Sequence, residues 1–215
     1  MATPLISTRT PSKEIRLCVL GVDPAVAGAT GFGVVEFVGA RPKLLRFGAL
    51  KLPARATFAA RLREIHGLIA RLVEEFSPDA VAVESVFTAL NMGTALRLAE
   101  MRGVVLLAAA QAQVPAHSYS PREVKACVAG YGAASKQQMQ QMVSSLLGLT
   151  EYPEPADAAD ALAVALCHAQ LSRARERIAI ATGARNVAVA PGGGIRSVRN
   201  ATPSRVRAAR VQDSR

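Results

Sequence analysis

Residues 17–33, LCVLGVDPAVAGATGFG, constrain the fold more than any other stretch of the chain. Leu17-Cys18-Val19-Leu20 is a short apolar run of the kind that becomes a buried strand. Asp23 arrives where that strand should end. Pro24 then stops the ladder, because it has no N–H to give. Small residues follow (Ala25, Ala27, Gly28, Ala29, Thr30, Gly31, Gly33), and a second apolar run, Val34-Val35-Glu36-Phe37-Val38, leads away. The pattern is strand, acid, tight turn, strand. Small residues behind the acid let a phosphate or a metal ion come close to the backbone. An aspartate in this place also suits a plain hairpin turn. The other acids of the chain must decide between the two.

The elements downstream define an α/β chain. Residues 43–50 offer a third strand closing on Pro53, so the first three strands form an antiparallel meander. Over residues 57–76 the period changes: Phe58, Leu62, Ile65, Ile69 and Leu72 fall at helical spacing, and Ser77-Pro78-Asp79 breaks the helix. Residues 80–84, AVAVE, form a short apolar strand that ends in an acid, as the first one does. A long Ala- and Leu-rich helix over 91–113, a brief strand over 116–119, helices over 121–128 and 136–147, and a last helix over 156–177 complete the order. Strands joined by crossover helices lie parallel in one sheet, with helices on its faces.

Composition matters in three places. Half of the residues are hydrophobic and only 4% are aromatic, so the core must be aliphatic. The net charge of +10 is concentrated at the end: residues 172–215 hold ten arginines against Glu176 and Asp213. Such a tail suits a polyanion, most simply nucleic acid, and equally suits a solvated, disordered segment. The three cysteines, Cys18, Cys127 and Cys167, are far apart and form no Cys-x-x-Cys pair. Cys18 and Cys167 lie in apolar runs and read as core residues. With no secretory h-region and no apolar run near the ~18 residues of a membrane helix, the expected setting is a reduced cytoplasm. The Ser/Thr/Pro-rich residues 1–14 read as a loose extension, with a transit peptide as the rival reading. Residues 15–177 form the expected folded domain, and 178–215 an Arg-rich, disordered tail.

Four acids stand out. Asp23 and Glu84 each end an apolar strand, and sites in such sheets lie at strand ends. Asp157 and Asp160 are three apart at the start of the last helix, on one face, among Ala and Leu rather than in a charged stripe. A capping or first-turn role explains Asp157. It explains Asp160 less well, because an apolar helix seldom places an acid on its buried face. Clustered carboxylates repel one another unless a cation joins them. They suit Mg²⁺, which takes phosphate oxygens as further ligands. Two such ions can activate water and stabilise the leaving oxygen of a phosphodiester.

With these residues in view, the chain resembles the RuvC family of Holliday-junction resolvases, from about Arg16 to His168. The resemblance rests on Gly21-Val22-Asp23-Pro24 with Thr30-Gly31-Phe32-Gly33, and on Glu84-Ser85-Val86-Phe87 with Asn91. It continues through Ala95-Leu96-Arg97-Leu98, Arg102-Gly103-Val104, Val124-Lys125, and residues 156–163, ADAADALA. It implies an RNase H-like fold, a mixed five-stranded sheet with helices on both faces. It also implies a homodimer that nicks the two like strands of a four-way DNA junction in recombination and repair. The family's metal-binding acids fall on Asp23, Glu84, Asp157 and Asp160, implying two Mg²⁺ per subunit with Mn²⁺ as a substitute. Phe87 matches an aromatic that stacks at the crossover, and Lys125 and Lys136 match positions near DNA phosphate or the cleaved bond. The family's partners are the RuvA and RuvB branch-migration proteins. Two departures are Ala25 and Ala99, where the family usually has Gly.

The residues taken alone also allow a core Phe87 and solvated lysines at 125 and 136. His66, His117 and His168 show no ligand spacing and define no zinc site. Two other functions compete with junction cleavage. One is a different RNase H-like nuclease or phosphotransferase, and the other is a module that binds branched DNA without cutting it.

Overall fold

A computed structural model describes residues 16–26, 28–85 and 91–182. The expected N-terminal extension, Phe87 and nearly all of the Arg-rich tail lie outside the described residues. Five strands, β1 (Arg16–Asp23), β2 (Thr30–Val38), β3 (Arg41–Leu50), β4 (Ala80–Glu84) and β5 (Ala116–Tyr119), form one sheet in the order β3-β2-β1-β4-β5. The first three pair antiparallel, and β1–β4 and β4–β5 pair parallel. The meander and the parallel half therefore both appear, in the mixed RNase H-like sheet that the resemblance implies. Pro42 is accommodated because β3 is an edge strand.

Five helices cover the sheet: α1 (Phe58–Phe76), α2 (Met92–Gln111), α3 (Pro121–Ala129), α4 (Lys136–Leu147) and α5 (Ala156–Ala181). Alternation along the strands sorts the core into two layers. Leu20, Val22, Val34, Val81 and Val83 pack with Ile65 and Ile69 of α1 and Met101 and Val105 of α2. Val19, Val35, Phe37, Ala82 and Tyr119 pack on the other face with α3, α4 and α5. Helix α5 is buried almost all round from Ala158 to Ala169, because the sheet lies on one side and α3 and α4 on the other. That position explains its Ala-rich sequence without a polar stripe.

The helix starts obey simple local rules. Thr57 caps α1 by accepting from the Ala60 N–H, and Asn91 caps α2 by accepting from the Thr94 N–H. Ser120 with Glu123, and Ser135 with Gln138, form reciprocal capping boxes on α3 and α4. The parallel register of β1 and β4 is pinned by Asp79. Its carboxylate accepts from the Cys18 N–H at 2.7 Å while its own N–H donates to the Cys18 carbonyl at 2.8 Å. Helix α5 runs four residues beyond the expected end at Arg177. Its continuation, Ile178-Ala179-Ile180-Ala181, holds no helix breaker.

Candidate active site

Asp23 closes β1 on the face that carries Val19 and Gly21, and Glu84 closes β4 on the face that carries Ala82. Both therefore point toward α5. The register pairs Val22 with Val83, so the next residues, Asp23 and Glu84, leave the sheet side by side. Two glycines decide how near α5 comes. A Cβ on Gly21 would stand 2.1 Å from the Ala161 carbonyl oxygen, and one on Gly31 would stand 1.9 Å from that of Asp157. Only a residue without a side chain lets the helix backbone lie on the sheet here. This close approach carries Asp157, in the first turn of α5, and Asp160, one turn on, to the ends of β1 and β4. The N-cap of α5 is Pro155, so Asp157 does not cap the helix.

The electrostatics record the convergence. Burial pushes the Asp23 carboxyl up to about 9, helped by the charge of Glu84, a hydrogen bond shared with Glu84, and the charges of Asp160 and Asp157. Burial also raises Glu84, and Asp160 adds to the effect, while the shared hydrogen bond with Asp23 and the charge of Lys125 oppose it. Asp160 is raised by burial and held back chiefly by Lys136, whose Nζ lies 3.4 Å from its carboxylate. Lys136 is the first residue of α4, placed there by the Ser135–Gln138 capping box. The S-x-x-Q spacing of that box was readable in the sequence as the device that sets this lysine.

Four acids from β1, β4 and α5 thus face one another, with Lys136 beside them and Lys125 near enough for its charge to act on Glu84 and Asp160. Among the described residues, no three acidic, histidine or cysteine side chains already form a finished metal cage. The donor set nevertheless suits a hard cation: carboxylates only, partly desolvated, with more negative charge than two lysines balance. His66 lies elsewhere, its Nε2 2.7 Å from Gln111 Oε1. Phe87 is outside the described residues.

An RNase H-like sheet with acids at the ends of its two central parallel-paired strands, completed by acids on the last helix, defines a class of phosphodiester-cleaving enzymes. The family model for crossover junction endodeoxyribonuclease RuvC matches residues 19–168. Crossover junction endodeoxyribonuclease RuvC of Chloroflexus aurantiacus is 45% identical over 161 residues, which cover 75% of this chain and 98% of that protein. The fold is similar to that of Thermus thermophilus RuvC, with a TM-score of 0.68 and 38% identity over 74% of this chain and 97% of that one. It is also similar to T. thermophilus RuvC in complex with a Holliday junction substrate, with a TM-score of 0.67 and 35% identity over 74% of this chain and 96% of that one. The chain belongs to the RuvC family of crossover junction endodeoxyribonucleases.

Proposed function

We propose that this protein resolves four-way DNA junctions as a homodimer by hydrolysing one phosphodiester bond in each of two like strands, in recombination and repair. The observation that carries the mechanism is the meeting of Asp23, Glu84 and Asp160 in one partly desolvated cluster, felt most strongly by Asp23. In this reading Asp23, Glu84, Asp157 and Asp160 hold Mg²⁺, two ions per subunit, with Mn²⁺ as a substitute. When bound, such ions activate the attacking water and stabilise the leaving oxygen. The carboxylates supply the negative charge that draws the ions in, and α5 fixes the spacing of two of the four. Lys136 opposes the burial that raises Asp160 and offers positive charge at the scissile phosphate. Lys125 adds a phosphate contact, and Phe87 stacks on a base at the crossover.

Helix α2 supports the dimer. Met92, Leu96 and Leu107 are 75%, 58% and 52% exposed, and with Ala99 and Gly103 they follow one another at spacings of three or four residues. An apolar stripe of that kind, left open on the surface, fits a second copy. A two-fold dimer presents one cluster to each of two symmetric strands. Ala99, one of the two departures from the family pattern, lies on this stripe. RuvA and RuvB are the proposed protein partners, and the cytoplasm is the proposed setting. Among the described residues no helix is long and apolar enough to cross a membrane.

The test is cleavage of a synthetic four-way junction, with strand ends mapped. Paired nicks at symmetric positions that require a divalent cation are expected. Binding without nicking in Mg²⁺ or Mn²⁺ would leave a branched-DNA-binding module. Equal cutting of linear duplex or RNA hybrids would point to a different RNase H-like nuclease.

A further inference from the structure

The two halves of the acid cluster sit on separate elements, and one buried side-chain pair joins those elements. Tyr119 is the register partner of Glu84, and its carbonyl accepts from the Ser85 N–H at 2.8 Å. Its backbone therefore holds the end of the strand on which Glu84 stands. Its side chain runs under α5, and its hydroxyl lies 2.7 Å from Nδ1 of His168. His168 is on α5, eight residues beyond Asp160, about two helical turns along the same rod.

The imidazole is fixed from every side. Its Nε2 lies 3.2 Å from the Ser172 hydroxyl, and the His117 ring lies against it with centroids 4.6 Å apart. Burial, with His117 and Arg175 nearby, pushes its pKa down to about 4, so it is neutral at physiological pH. A neutral ring has one donor and one acceptor nitrogen, and hydroxyl partners satisfy both. Two buried polar side chains could be there merely to satisfy each other. Their placement says more. Among the described residues this is the one side-chain hydrogen bond between the sheet and α5. Elsewhere the helix rests on Gly21, Gly31 and Gly33 through its own backbone, Ala165 and Leu162. Small apolar surfaces set how near the helix lies but resist sliding along its axis weakly. A hydrogen bond of fixed length and direction resists it.

We propose that Tyr119 and His168 form a positioning strut that fixes the axial register of α5 against β4, and so the spacing of Asp157 and Asp160 from Asp23 and Glu84. The inference rests on the reading of those acids as the metal ligands. Neither strut residue touches the substrate.

The experiment measures Mn²⁺ binding by calorimetry without DNA, alongside junction cleavage across a range of Mn²⁺ concentrations. Tyr119→Phe keeps the packing and removes one hydroxyl. It is expected to weaken Mn²⁺ binding of order tenfold, the low end of the loss seen when a group supporting a metal ligand is removed. Cleavage should recover at high Mn²⁺, and junction binding without metal should not change. His168→Gln, which keeps a polar group facing Tyr119, should bind Mn²⁺ more tightly than His168→Leu. Ile69→Val, in the core on the far face of the sheet, controls for lost stability and should leave Mn²⁺ binding alone. Wild-type Mn²⁺ affinity in Tyr119→Phe would overturn the strut, as would equal affinities in the two His168 variants. A wild-type protein that neither binds Mn²⁺ nor cuts would instead overturn the metal reading, and the strut with it.

Discussion

The Lys136 ammonium stands 3.4 Å from the Asp160 carboxylate, joining the first residue of α4 to the second acid of α5. Both groups are partly exposed, so the pair adds little stability. Its effect is on protonation. Burial raises Asp160, and Lys136 is the largest influence opposing that rise. Lys136→Ala removes the opposition, so the carboxyl ionises at higher pH. The acid limb of the cleavage–pH profile is expected to move upward, and Lys136→Arg is expected to restore most of it. A profile unmoved by Lys136→Ala would separate this lysine from the reaction.

Asp160→Asn should divide cutting from binding. The change keeps the shape and deletes one charge from the cluster. Cleavage in Mg²⁺ is expected to fall by ~10²-fold or more, since a direct ligand should matter at least as much as a group behind one. Junction affinity without metal should hold or rise, because repulsion of phosphate declines. The same is expected of Asp23→Asn, Glu84→Gln and Asp157→Asn. Gel shift without metal and cleavage in Mg²⁺, run side by side, give the answer.

The metal-free protein should lose stability as pH rises. Asp23 is raised from 3.8 to about 9 in the fold. The folded state therefore keeps a proton that the unfolded chain releases, and stability declines across that window as pH climbs. Asp23→Asn cannot ionise and should be the more stable protein at pH 8 without metal, by at least ~1 kcal/mol, about the worth of one pKa unit. Mg²⁺ should reduce the difference. Urea melts at pH 5 and pH 8, with and without Mg²⁺, measure all of this.

Gly31→Ala tests the seat of α5. Its new Cβ would stand 1.9 Å from the Asp157 carbonyl oxygen, so the first turn of the helix must lift. Overpacking of this kind costs ~1–3 kcal/mol. Cleavage should fall further than the melt alone explains, because Asp157 leaves the cluster. Comparison with Gly67→Ala on α1, where a Cβ meets only the guanidinium end of Arg71 at 3.3 Å, separates the seat from a general glycine effect.

Phe87→Ala should leave a folded dimer that distorts and cuts junctions poorly. Stacking of one base on an aromatic ring is worth ~1–3 kcal/mol. If Phe87 is instead a core residue, thermal melting will show a loss of ~3–5 kcal/mol.

Much of the site was legible before any fold was known. Asp23 and Glu84 each follow a short apolar run, and that run placed both at strand ends. Asp157 and Asp160 shared a helix face by spacing. In the fold Thr57, Asn91, Ser120 and Ser135 cap the helices that follow them, and their physics is local: a side-chain oxygen meets a nearby N–H. Helix α5 passes the expected end at Arg177 because nothing in Ile178-Ala179-Ile180-Ala181 breaks it.

What the sequence by itself determined was the inventory: strands, helices, four acids at element ends, and two lysines near helix starts. These depend on neighbours a few residues away. Tertiary structure alone decided which acids meet and how strongly. Gly31 reads as room for a phosphate or a metal ion beside the backbone, and Gly21 as a strand residue, but it is the backbone of α5 that takes the space at both. Asp23 reads as an ordinary aspartate until burial and three other acids raise it. Tyr119 and His168, forty-nine positions apart, had no pattern to link them. Contacts between residues far apart in the chain leave no periodic trace, because each depends on the packing of every layer between them.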